Sequence, residues 1–218
     1  MVIVMSSRPP FLCNQMPSRS VCLILEGYEE DYYFKRLLEL PVFSSKYSIK
    51  PINAKSASNI PAKYQEALAS DSHSIVLVIC DRDRKPDAYN AVVQGIEEIL
   101  GNHNAHKIIT FTRPCTLQVV LSHFGDVELT TQAKTAAQED VYRLTGIKNY
   151  QAHQDQLKEI CKKIFLRNWE CMIKRLRLLS TNPDDIPSSN MSMLFERLCS
   201  DDVSWIDEVN KSIFNISE

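Results

Sequence analysis

Two segments of this 218-residue chain place carboxylates directly behind apolar runs. Ser20–Leu25 is followed by Glu26-Gly27. The run Ser74-Ile-Val-Leu-Val-Ile-Cys80 is followed by Asp81-Arg82-Asp83. Three hard oxygen donors without His or Cys suit Mg²⁺ or Mn²⁺, with water and a substrate phosphate completing the coordination. Such an ion activates water and stabilises charge at a reacting phosphorus. A lone D-x-D or a lone Glu-Gly reads more simply as turn and cap residues. The two together, at the ends of two strands of one sheet, bring the metal reading level with that simpler one.

The elements that must position these acids follow from the pattern. Ser20–Leu25 and Ser74–Cys80 are short continuous apolar runs of the kind buried on both faces of a parallel sheet. Tyr47–Ile52 alternates and Lys107–Phe111 is apolar, giving two more strands. Helices are expected over Tyr28–Leu40, stopped by Pro41, and from Ser58 or Asn59 to about Ser70, with Pro61 in the first turn. A third is expected over Ala88–Leu100, ended by Gly101. This β-α-β-α-β-α-β order predicts an α/β fold with a mainly parallel sheet and helices on both faces. Ligands of such sheets lie beyond the carboxyl ends of the strands, where Glu26, Asp81 and Asp83 stand, if strand 2 lies outside strand 1. After Pro114 the pattern turns helical: Cys115–Phe124, Thr131–Leu144, Ala152–Leu179, Ser189–Cys199 and Val203–Phe214. The expected organisation is a flexible lead-in at 1–19, an α/β core at 20–114 and a helical region at 115–218.

Composition narrows the class. Hydrophobic residues make up 44% and charged residues 24%, with only 5 Gly, which fits a globular chain with a real core. A net charge of −2 argues against coating nucleic acid by bulk charge, so any such contact must come from local clusters. No apolar run is long enough to span a bilayer. Met1 to Met5 lack the basic start of a signal peptide. The seven cysteines are scattered without C-x-x-C, which predicts free thiols in a reducing cytoplasm.

Clusters of positive charge do occur. Residues 158–177 hold Lys158, Lys162, Lys163, Arg167, Lys174, Arg175 and Arg177 against Glu159 and Glu170, with Phe165 and Trp169 interleaved. This reads equally as a groove following a phosphate backbone, with Lys162, Lys163 and Arg167 as binding residues, or as the solvated face of an amphipathic helix. Arg82 and Arg84 flank the acidic edge and are phosphate-contact candidates. Lys148, just after Gly146, is a candidate for holding a scissile phosphate or leaving oxygen, against the plainer reading of a loop lysine. His123 reads best as a packing histidine.

Glu26-Gly27-Tyr28-Glu29-Glu30-Asp31-Tyr32-Tyr33-Phe34 resembles the E-G-x-T-E-x-x-Y-F signature of the RloB family, within the Toprim (topoisomerase–primase) superfamily. Asp81-Arg82-Asp83-Arg84 resembles its D-x-D strand end. Arg113-Pro114-Cys115 through His123-Phe124 resembles its N-P-C-F-E-x-W-x-x-x-H-F segment. Ser188-Ser189-Asn190-Met191, with Leu194 and Leu198, resembles its late S-T-N-V-x-x-L segment. The chain departs from the pattern at Glu29 (usually Thr), Arg113 (usually Asn) and Leu117 (usually an acid).

The resemblance implies a Toprim fold and Mg²⁺- or Mn²⁺-dependent cleavage of DNA or RNA, tRNA included. It implies Glu26 as general base or ligand, Asp81 and Asp83 as ligands, and Glu30 as a further or supporting carboxylate. It also implies an antiphage-defence effector of the abortive-infection kind, controlled in trans by a partner ATPase. This chain carries no G-x-x-x-x-G-K-[ST] loop of its own. A homodimer is left open. The missing acid at Leu117 keeps a second reading in play: a catalytically silent Toprim subunit that docks to an ATPase.

Overall fold

The structure, a computed structural model, describes residues 19–83 and 86–214. Its first half alternates β1 (Arg19–Leu25), α1 (Tyr28–Glu39), β2 (Tyr47–Asn53), α2 (Ile60–Ala69), β3 (Ile75–Asp81), α3 (Asp87–Leu100) and β4 (Ile109–Arg113). The second half runs through α4 (Leu117–Leu121), α5 (Lys134–Thr145), α6 (Gln154–Lys162), α7 (Leu166–Leu176), β5 (Ser188–Ser189), α8 (Met191–Cys199) and α9 (Ser204–Phe214). All but Arg19 of the expected lead-in, and Arg84 as well, lie outside the described residues.

One sheet has the order β2-β1-β3-β4-β5, parallel except for β5. β1 and β3 are central, and Val21–Leu25 and Ile75–Cys80 are buried throughout, which is why both read as unbroken apolar runs. The chain leaves β1 outward to β2, then returns past β1 to β3. The strand order therefore reverses between β1 and β3, the place where open α/β sheets hold ligands. Helix ends are set locally. Gly101 (φ 68°) and Gly146 (φ 77°) take the left-handed conformation after α3 and α5.

The helical half departs from expectation in two places. Ala152–Leu179 is two helices, α6 and α7, not one. Arg36 of α1 donates from Nε and Nη2 to the Ile164 carbonyl (3.1 and 2.8 Å), and Phe165 is extended (φ −126°). A distant guanidinium thus occupies a carbonyl at the break between the two helices. Ser189, expected to open a helix, instead belongs to β5, which pairs antiparallel with β4. Asn190 prolongs that edge with its side chain: Oδ1 accepts from the Phe111 N–H (2.8 Å) and Nδ2 donates to the Ile109 carbonyl (3.2 Å).

One hydrophobic core runs from Val21 to Ile213. In it His123 is buried, with Nε2 2.9 Å from the Tyr33 hydroxyl, as the packing reading expected. Among the described residues no helix is long and apolar enough to cross a membrane, and six cysteines are free thiols.

Candidate metal centre

The site begins where β1 and β3 end side by side. Glu26 follows β1, and its Oε2 accepts from the Asp81 backbone N–H (2.9 Å) and from the Cys80 thiol (3.1 Å). The two strand ends are therefore tied together through one carboxylate. Gly27 then starts α1. Its N–H donates to Glu30 Oε2 (2.9 Å), so the buried Glu30 side chain closes the first turn of the helix. Asp31, also buried, pairs with Lys35 (2.7 Å).

Asp81 Oδ1 accepts from the Thr116 hydroxyl (2.9 Å), which sits just ahead of α4. Asp83 accepts from the Gln132 side-chain amide in the orientation that satisfies that amide. A cleft of about 270 Å³ opens here. Glu29, Asp81 and Asp83 line it, with Cys115, Leu117 and Tyr150 among its walls.

The electrostatics are those of crowded acids. Burial, then Glu30, Glu29 and Glu26, push the Asp81 carboxyl well above the usual range. Burial chiefly raises Glu30, and Glu26 adds to it. Asp83 is raised by burial and by Glu26. Negative charge is thus concentrated on one strand edge at an energetic cost. The Cys80 and Cys115 thiols are pushed up by burial and by these same acids, so both stay protonated.

The sequence-predicted residues divide. Glu26, Asp81, Asp83 and Glu30 come together at this edge. Lys148 does not: it is exposed, with Nζ 5.9 Å from the Tyr142 ring, in a different hollow beside α5. Arg82 turns away to Asp184 (2.8 Å) and lies over the Tyr89 ring, tying β3 to the loop before β5. Lys163 donates to the Thr145 carbonyl (2.7 Å). Lys162 lines a groove against α1, and Arg167 is exposed beside Phe165.

Three contributors escaped the sequence reading. Glu29, an acid in the first turn of α1 that stands where the RloB-like pattern has Thr, lines the cleft. It supplies a carboxylate to the cavity in which Leu117 presents none. Thr116 holds Asp81 in place. The Tyr150 hydroxyl is buried with no hydrogen-bond partner among the described residues, in a side chain that walls the cleft. For Glu29 the signal was available, since it follows Glu26 by three residues. Nothing local marks Tyr150.

In donor type the residues fit a hard divalent cation. Every acid here is a carboxylate, and the burial and, after it, the mutual repulsion that raise Asp81, Glu30 and Asp83 are what a cation would offset. Among the described residues no three acids, His or Cys are already gathered into a ligand shell, so binding would draw these side chains together. No family model, curated protein or solved structure matches the chain.

Proposed function

We propose that the chain is a Mg²⁺- or Mn²⁺-dependent endonuclease of Toprim type, similar to the RloB family. The observation that carries this is the gathering of Glu26, Glu29, Asp81 and Asp83 where the strand order reverses between β1 and β3. Asp81, Asp83 and Glu29 are the residues that would hold the ion, with Glu26 or Glu30 completing the set. When bound, the ion supplies charge stabilisation at the phosphate and a more acidic water. Glu26 is held in place by the Asp81 N–H and the Cys80 thiol, and would accept the proton of the attacking water. Thr116 fixes the Asp81 carboxylate, and the Tyr150 hydroxyl has a proton to donate to a phosphate oxygen.

The same reading places the chain in a reducing cytoplasm, with an ATPase acting in trans and a homodimer as the open assembly question. Leu117 in the cleft wall favours one competing reading, a silent Toprim subunit whose work is docking to that ATPase.

One experiment separates them. Purified protein is incubated with plasmid DNA and with total RNA, in Mg²⁺, Mn²⁺ or EDTA, beside Glu26→Gln. The nuclease reading expects metal-dependent cleavage that the variant lowers by roughly 10²-fold or more. No cleavage of either polymer, or equal cleavage by the variant, would overturn it.

A further inference from the structure

We infer that α1 and α6 form a stacking track for an unpaired nucleic-acid strand entering the acidic cleft. The inference rests on the nuclease reading for its chemistry but on separate residues for its geometry. Tyr28 opens α1 two residues after Glu26, so the two Cα atoms lie within about 7.6 Å. Tyr28 is 45% exposed, and its ring stacks on Tyr32, one helical turn further on (centroids 6.1 Å apart, planes at 23°). Lys158 of α6 lies over the Tyr32 ring, with Nζ 4.8 Å from the centroid. Beyond it Tyr32, Lys35, Lys158 and Lys162 line a groove of about 180 Å³ between α1 and α6.

Charge decides what this surface recognises. Lys35 is paired with Asp31, and Arg36 and Glu39, which also line the groove, are paired with each other. Lys158 and Lys162 are exposed and have no carboxylate partner among the described residues. Two lysines without a carboxylate partner, one of them over the Tyr32 ring, beside two stacked tyrosines match a polymer of phosphates and flat bases. Every base offers a π face, so such a platform tolerates sequence but demands unpaired bases. A duplex keeps its bases stacked inside and reaches the lysines only through phosphates. The substrate class is therefore single-stranded DNA or RNA, or the loop of a folded RNA.

The test is binding without cleavage. Fluorescence anisotropy in EDTA compares a labelled single strand with the blunt duplex of the same sequence. Wild type is expected to prefer the single strand. Tyr28→Leu should weaken single-strand binding roughly tenfold and leave duplex binding unchanged, while Tyr28→Phe keeps wild-type affinity. Lys162→Gln should flatten the salt dependence by about 0.7 in logarithmic slope. Equal binding by Tyr28→Leu, or an equal loss for strand and duplex, overturns the track. So does an unchanged salt slope in Lys162→Gln. The two proposals fail separately: strand preference without metal-dependent cleavage removes the nuclease and keeps the track, whereas cleavage with an indifferent Tyr28 does the reverse.

Discussion

Asp81 ends β3 with Glu26, Glu29 and Glu30 all acting on it, and this has a consequence for stability. A carboxyl whose folded-state pKa lies above its unfolded value binds protons more tightly in the folded chain. The cost is absent below the unfolded value of 3.8 and grows as pH rises toward the folded value, by up to about 1.4 kcal/mol per pH unit. Asp81→Asn keeps the shape and the acceptor for Thr116 while removing the charge. At neutral pH the metal-free variant should therefore melt above wild type, by about 3 °C or more, and the difference should vanish near pH 4. Mn²⁺ should raise the wild-type melting temperature and leave the variant unmoved, because only the protein that binds the ion is stabilised by it. A variant no more stable than wild type at neutral pH, or one that responds to Mn²⁺ equally, would show that the acids at this edge are not competing for a cation.

Elements are held in register by contacts as specific as those of the site. α2 and α3 meet where Gly95 faces Pro61, and a Cβ at Gly95 would come within 2.8 Å of the Pro61 ring. That ring has no rotamer to yield, so Gly95→Ala should cost about 1–3 kcal/mol despite its better helix propensity. Thermal melts should show a fall of several degrees; an unchanged melting temperature would mean that α3 slides freely over α2. Contacts of this kind also mark the limit of what the sequence reveals. The buried runs of β1 and β3, Gly101 behind α3 and the acids behind two strands are local signals, and each stands where expected. The break between α6 and α7 carries no Gly or Pro, and the carbonyl it frees is held by Arg36 of another helix. Two-residue β5 is invisible beside a helical pattern, since its pairing is with Thr112 and Arg113. At the site, adjacency in sequence misled for Arg82, whose guanidinium is taken by Asp184. Tyr150 reaches the cleft, and Thr116 reaches Asp81, from segments that no spacing rule connects to Glu26.

At the scale of the whole molecule, the helical half clasps the sheet. Trp205 of α9 donates from Nε1 to the Tyr47 hydroxyl at the start of β2 (2.9 Å), and that hydroxyl donates onward to the Asp202 carbonyl (2.8 Å). Asn210 donates to the Ser74 carbonyl ahead of β3 (2.8 Å), and Lys107 ahead of β4 donates to the Ser212 carbonyl (2.9 Å). On the other side Trp169 packs against Phe43 and Phe195. The 20–114 segment on its own would expose this apolar surface and leave the β4 edge unpaired, an invitation to aggregate. The chain should therefore unfold as one cooperative unit. Both tryptophans, Trp169 and Trp205, lie in the helical half, whereas far-ultraviolet circular dichroism reports on every element. Urea transitions followed by the two signals should coincide, with a single midpoint. A 20–114 fragment should show no cooperative transition of its own. Two separated midpoints, or a fragment that melts sharply, would instead make the helical half an independent module resting on a self-sufficient sheet, and the acidic edge would then be free to work without it.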